Sequence, residues 1–149
     1  SKLVSIENDP AWYSRVQGMV SMLPNVDLRL LPEQAAYVGV TDEFPDRSFD
    51  FILVDGMLAR DECAHRALRL LRPGGLLVLD NANWYLACTS RAPLSRGGVP
   101  RRSDSDSWDF FAKKVAPWRG IWTSDGLSDT ALWIKGPGLD DRDDGGIMR

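Results

Sequence analysis

Four polar residues stand where short apolar runs end. Glu7 follows Leu3-Val4-Ser5-Ile6, Asp55 follows Phe51-Ile52-Leu53-Val54, and Asp80-Asn81 follows Leu76-Leu77-Val78-Leu79. A carboxylate at such a place can accept hydrogen bonds from both hydroxyls of a nucleotide ribose. Glu7 can serve in that way, or it can simply help Asp9 cap the next helix. Asp55, Asp80 and Asn81 supply two carboxylates and an amide oxygen, a hard all-oxygen set that suits Mg²⁺. The alternative is structural: Asp80-Asn81 caps the segment that follows, and Asp55-Gly56 turns the chain. His65, the single histidine, falls inside a helical stretch and is expected on the helix surface rather than as a general base. Trp12, Trp122 and Trp133 are expected in the core, whereas Trp84, Trp108 and Trp118 flank a polar loop and can wall an acceptor pocket. Arg91, Arg96, Arg101 and Arg102 are expected to be solvated, with Asp104 and Asp106 balancing them.

For the strand ends to meet, the runs must lie side by side. Residues 3–6 form a strand that a polar cluster and Pro10 stop. Trp12, Val16, Met19, Val20 and Leu23 recur at three and four, an amphipathic helix over 11–23 with Asp9 as N-cap and Pro10 at its first position. A strand at 26–31, a helical turn at 33–38 and a polar loop at 41–48 follow. The runs 49–54 and 76–79 are so apolar that both are expected to be buried on both faces. A helix over 60–71 joins them, broken by Arg72-Pro73-Gly74-Gly75. This alternation specifies an α/β fold, a doubly wound and mostly parallel sheet with helices on both faces. Neighbouring strands lie about 4.8 Å apart, so their tips can converge at the carboxyl rim where such sheets bind ligands. Residues 89–107 are expected to form a mobile lid or disordered loop. A short helix at 108–115 and strands at 120–124 and 130–134, joined as an antiparallel hairpin, complete a domain over 1–136; 137–149 is expected to be a disordered acidic tail.

With 149 residues, 44% of them hydrophobic, the chain can bury a core without disulfides or metal. A net charge of -3 gives no general attraction to nucleic acid or anionic membrane. No apolar run approaches the roughly 18 residues of a membrane span. Cys63 and Cys88 lack CxxC spacing and suit a reducing, cytoplasmic compartment. The expected partner is a small-molecule acceptor, not nucleic acid or a membrane, with a homo-oligomer left open. The chain opens at Ser1-Lys2-Leu3 without Met, already entering a strand, and a truncated beginning is expected.

Three segments resemble the class I S-adenosylmethionine-dependent methyltransferases: Val4-Ser5-Ile6-Glu7-Asn8-Asp9-Pro10, the run from Ser48 to Gly56, and the run from Ala67 to Asn81. The last, a helix leading through Leu71-Arg72-Pro73-Gly74-Gly75 into an apolar strand, is the most specific. The resemblance covers residues 3–136, more weakly beyond 85. It implies a Rossmann-like sheet of order 3-2-1-4-5-7-6 with strand seven antiparallel, and S-adenosylmethionine as cofactor, held by Glu7 at the ribose and met by Asp55. The acid after the third strand of this chain and the Asp-Asn pair after the fourth also look like the metal-dependent O-methyltransferases of the catechol and macrocin types. Carried over, Asp55, Asp80 and Asn81 would ligate Mg²⁺, and the metal would lower the pKa of an acceptor hydroxyl. Asp55 would then be the catalytic residue, and the implied reaction is methyl transfer to a hydroxyl of a small, sugar-like molecule. Three features depart from the family: no lysine or histidine closely follows Asp55, no Asn/Asp-Pro-Pro-Tyr/Phe motif is present, and the first strand with its Gly-x-Gly loop is missing. Without that strand the runs ending at Glu7 and Asp55 keep unpaired edges, at about 1–3 kcal/mol per unmet buried group. The chain alone is therefore expected to be unstable or inactive, a fragment of a longer reading frame. A metal-independent methyltransferase, a nucleotide-binding dehydrogenase and a non-catalytic Rossmann-like interaction domain remain as alternatives.

Overall fold

A computed structural model describes residues 1–96 and 105–137. In chain order the elements are β1 (Leu3–Glu7), α1 (Pro10–Val20), β2 (Val26–Leu30), α2 (Gln34–Gly39), a 3-10 turn (Val40–Glu43), β3 (Phe49–Val54), α3 (Arg60–Leu70), β4 (Leu71–Leu79), α4 (Ala82–Tyr85), α5 (Ser105–Val115), β5 (Arg119–Ser124) and β6 (Asp129–Ile134). Asp9 caps α1 as expected, its Oδ1 accepting from the backbone N–H of Ala11 at 2.7 Å and of Trp12 at 2.9 Å. Pro10, which has no N–H to lose, takes the first helical position.

Among the described residues the strands form two sheets that share no ladder. In one, β1 pairs in parallel with β2, from Leu3 opposite Val26 to Glu7 opposite Leu30. In the other, the order is β3-β4-β6-β5. The β3–β4 pair is parallel, with Phe51 to Val54 opposite Leu76 to Leu79, and β6 runs antiparallel to both β4 and β5. Placed edge to edge, the sheets give β2-β1, then β3-β4-β6-β5. This is a Rossmann-like, doubly wound, mostly parallel arrangement with a C-terminal antiparallel hairpin, and it lacks the first β-α unit, whose strand would lie between β1 and β3.

The Arg-Pro-Gly-Gly break is a bulge within β4 rather than a loop before it. Leu71 already pairs with Phe49, and the ladder resumes with Leu76 opposite Phe51. The extra residues fold outward through Gly74, whose φ of 79° is one that glycine adopts freely. The bulge also docks on β6: Gly74 N–H donates to the Lys135 carbonyl at 2.8 Å, and Lys135 N–H to that of Gly75 at 3.0 Å.

The core fills the space between the larger sheet and helices α3 and α5. Leu71, Leu77 and Leu79 meet Ala64, Ala67 and Leu68 from α3, and Phe111 and Val115 from α5. Phe111 stands edge-on to both Trp108 and Trp133, with centroids 5.7 Å away in each case. Trp108 and Trp118 thus belong to the core and do not wall a pocket. Trp133 is buried as expected, whereas Trp12 and Trp122 are 52% and 40% exposed. Helical spacing says which face of α1 is apolar but not what covers it, and α1 buries none of its residues. β3 departs from its expected double burial for a related reason. Ile52 and Val54 face the core, while Phe51 and Leu53 on the other face are 50% and 52% exposed. Helix α4 and the 3-10 turn had no clear sequence signal. Residues 97–104 of the expected lid, including Arg101, Arg102 and Asp104, and 138–149 of the expected tail lie outside the described residues.

This division predicts unequal responses to truncation. Phe111→Ala should lower unfolding stability by about 3–5 kcal/mol, and Trp12→Ala by less than about 1 kcal/mol, in urea melts followed by circular dichroism.

Candidate functional site

β3 and β4 end side by side where the antiparallel β6 begins, and Glu7 at the end of β1 is near enough for its charge to act on Asp55 and Tyr37. Glu7 closes β1 with its Oε1, which accepts from the backbone N–H of Asn8 at 2.7 Å and of Asp9 at 2.8 Å. At the end of β3, partial burial raises the Asp55 carboxyl above its usual value. The negative charge of Asp80 and a hydrogen bond with it raise it further, Glu7 adds a little, and Arg60 opposes. The Asp55 side chain is 60% exposed, so water weakens each of these effects. Asp80 is steadied from β6, the Thr130 hydroxyl donating to its Oδ1 at 2.9 Å.

The rim is organised by a residue that the sequence reading passed over. Arg60, the first residue of α3, is buried, and its guanidinium ties β3 to β4. Nε donates to the Gly56 carbonyl at 2.7 Å, Nη1 to the Asp80 carbonyl at 2.9 Å and to Asn81 Oδ1 at 3.2 Å, and Nη2 to the Asp55 carbonyl. Nη2 also lies 3.6 Å from Asp55 Oδ1, and the guanidinium sits over the Tyr85 ring, 5.2 Å from its centroid. Ala59 and Asn81, which flank these contacts, hold left-handed backbone angles of 45° and 50° in φ. Such angles cost about 1–2 kcal/mol in a residue such as Ala59 and less in asparagine, and Arg60 fixes Asn81 in this turn by its bond to Oδ1.

Tyr37 lies alongside. Its hydroxyl rests on Gly56, well inside the space a Cβ there would need. Burial first, then the charge Cys63 carries once it is a thiolate and the negative charges of Glu7 and Asp55, push the phenol up to about 12 against the pull of Arg60, so at neutral pH it is a proton donor. On the other side of Asp80, the buried Asp129 opens β6 and latches the hairpin. Its Oδ2 accepts from Trp122 Nε1 at 2.6 Å, and its N–H donates to Asn83 Oδ1 at 3.0 Å. Oδ1 has no donor in hydrogen-bonding geometry, yet the Ser124 and Ser90 hydroxyls lie close enough to favour its charge. Burial alone would raise the Asp129 carboxyl, and these hydroxyls with the Trp122 indole hold it below its usual value.

Asn83 also fastens the segment before the undescribed stretch, donating to the Pro93 carbonyl at 3.2 Å and to Ser95 Oγ at 3.0 Å. Arg96, expected to be solvated, is buried there. It donates to the Tyr85 carbonyl at 2.7 Å and pairs with Asp109 at 2.9 Å. His65 is likewise not a free surface group. It is half-buried against α5, with Nε2 2.9 Å from the Ser107 carbonyl and the ring beside Phe110 and Phe111.

The structure therefore brings Glu7, Asp55, Asp80 and Asn81 to one rim and adds Arg60, Tyr37, Thr130 and Asp129. As a magnesium shell the set fits in part. Asp55 and Asp80 stand together as ligands would, but Asn81 Oδ1 faces Arg60 and Asp80 Oδ1 faces Thr130. Among the described residues, no group of three or more His, Cys, Asp or Glu side chains is placed to hold a metal ion.

No family model matches the chain, and no curated protein sequence does. Solved structures do. A Corynebacterium glutamicum protein superposes with a TM-score of 0.64 at 13% identity, covering 91% of this chain and 61% of its own. An O-methyltransferase from Bacillus cereus in complex with SAH gives 0.59 at 16%, covering 91% and 63%. A methyltransferase from Geobacter sulfurreducens gives 0.55 at 17%, covering 91% and 58%. The chain thus spans about three fifths of the length of these structures.

Two substitutions probe the rim's packing and charge. Gly56→Ala should cost roughly 1–3 kcal/mol by driving a methyl group against the Tyr37 hydroxyl. Adding Tyr37→Phe should recover most of that loss, and no recovery in thermal melts would show that the contact is not the cause. Asp129 titrates lower in the folded chain than unfolded, so its stabilisation is present above about pH 4 and is lost as pH falls through the folded value. Stability curves of wild type and Asp129→Asn should separate above about pH 4 and converge in stronger acid.

The relationship that geometry supports is one of fold: this chain has the Rossmann-like fold of the class I methyltransferases, without its first β-α unit.

Proposed function

We propose that this chain is the larger part of an S-adenosylmethionine-dependent methyltransferase acting on a hydroxyl of a small, polyhydroxylated molecule. The observation that carries the reading is the convergence of Glu7, Asp55 and Asp80 on the carboxyl rim of this fold. The Bacillus cereus structure, with SAH, the demethylated cofactor, bound to a related fold, supports the cofactor class. Glu7 would accept hydrogen bonds from the ribose hydroxyls, keeping its backbone bonds to Asn8 and Asp9 as a brace.

When bound, S-adenosylmethionine would supply the methyl group to the acceptor oxygen and keep the carbon–sulfur electron pair on sulfur, and the hydroxyl proton would pass to a carboxylate of this chain. Asp55 is placed for that role: it is the exposed member of the pair, and Asp80 beside it strengthens it as a base. This answers the lack of a nearby lysine or histidine. A magnesium-assisted version of the reaction has the pairing of Asp55 and Asp80 in its favour, with Asn81 turned to Arg60 counting against it. The unpaired edges of β1 and β3 suit a strand from elsewhere in the protein, in keeping with a chain that covers about three fifths of the matched structures. Its cysteines, both free thiols, suit a cytoplasmic setting.

Calorimetry on the whole protein tests the cofactor. SAH should bind and NAD should not, and Glu7→Ala should weaken SAH by about tenfold or more. Binding of NAD without SAH would overturn the reading. With labelled S-adenosylmethionine and a panel of polyols and catechols, Asp55→Asn should lower transfer by about 10²–10⁴-fold.

A further inference from the structure

We propose that Arg60 is the resident cation of this rim, that it holds the position between Asp55, Asp80 and Asn81 that a divalent metal would need, and that the chemistry there is metal-free. Only the last clause rests on the methyltransferase reading; the exclusion of metal rests on Arg60 alone. The guanidinium is fixed from every side. Its side chain is 3% exposed, and three backbone carbonyls from two strand ends, one amide oxygen and one aromatic face hold it. Met57 Sδ, 3.7 Å from Nη2, closes the remaining side. Swinging it aside would strand those buried acceptors and unseat Asn81, whose left-handed backbone aims its amide at Nη1.

A magnesium ion demands near-octahedral oxygen ligands at about 2.0–2.1 Å. To reach Asp55, Asp80 and Asn81 together it would have to lie against a positive charge held in place by its own buried contacts. The guanidinium already supplies a positive charge beside the Asp55 carboxylate and holds the Asp80 backbone, so the pair of acids has a cation without a metal. Asn81 and Thr130 complete the arrangement by taking the donors and acceptors a metal shell would compete for.

The test is a Mn²⁺ titration of the whole protein, read by the electron paramagnetic resonance signal of the free ion, with SAH binding measured alongside. Wild type should leave the signal unchanged up to millimolar Mn²⁺. Saturable binding that Asp80→Asn removes would overturn the proposal. Arg60→Gln takes away the charge and should gain Mn²⁺ affinity by about tenfold or more, a gain that Asp80→Asn then cancels. A folded Arg60→Gln protein that stays blind to Mn²⁺ would also overturn it. If Arg60→Gln does not fold, Arg60→Lys keeps a cation and should remain Mn²⁺-blind, and binding by that variant would count against the proposal. Failure of wild type to bind SAH would remove the methyltransferase reading and leave the Mn²⁺ result standing.

Discussion

A guanidinium taken out of water costs several kcal/mol unless its donors find partners, and Arg60 meets that condition only if the ends of β3 and β4 stand where they do. The dependence runs both ways. The Asp55, Gly56 and Asp80 carbonyls lie just past their strands, where no ladder partner remains to satisfy them. One planar fork serves all three, which the single point charge of a lysine could not do. The same contact sets the start of α3 against the sheet, holds Asn81 in its left-handed turn and brings the Asp55 and Asp80 carboxylates into proximity. Position and charge at the rim therefore have one common cause.

The half that carries Glu7 is attached less firmly. Between the two sheets run polar ties from the 3-10 turn and the loop after it: Arg29 to Glu43 at 2.7 Å, Arg66 to Asp42 and Arg69 to Asp46 at 2.6 Å each. All involve exposed acids, and pairs of this kind contribute about 0–1 kcal/mol apiece. The larger sheet is instead gripped by a continuous apolar core. The distance between Glu7 and Asp55, which on the proposed reading must match the length of a bound cofactor, is held by these ion pairs together with the packing of Tyr37 on Gly56 and of Phe44 on Phe49. A strand pairing with both β1 and β3 would add backbone hydrogen bonds across this junction.

What could be read in the sequence was local. Strand ends show as a change from apolar to acidic within a few residues, and Glu7, Asp55 and Asp80 were visible for that reason, as was the capping of α1 by Asp9. The hairpin declared itself through two apolar runs around Asp125-Gly126. Arg60 did not, because its partners lie as far as 21 positions along the chain and an arginine opening a helix resembles any solvated one. Trp108 and Trp118 were misplaced by their polar sequence neighbours, whereas their burial is decided by α3 and β6. Trp12 and Phe51 erred the other way. Periodicity identifies an apolar face, and only the third dimension says whether anything lies on it.

The rim's charge also bears on the class of cofactor. Glu7, Asp55 and Asp80 bring three carboxyl groups to the rim, and Asp129 at the start of β6, held in its charged form, adds a fourth. A dinucleotide takes its pyrophosphate at the glycine loop and helix N-terminus of the first β-α unit, the part this chain lacks, so α1 and its Asp9 cap have no bearing on that choice. The sign of the rim's charge does bear on it: its acids would attract a sulfonium. Methyl transfer then turns the sulfonium into a neutral sulfide, so on the proposed reading the same acids hold the spent cofactor less tightly than the charged one and favour its exchange.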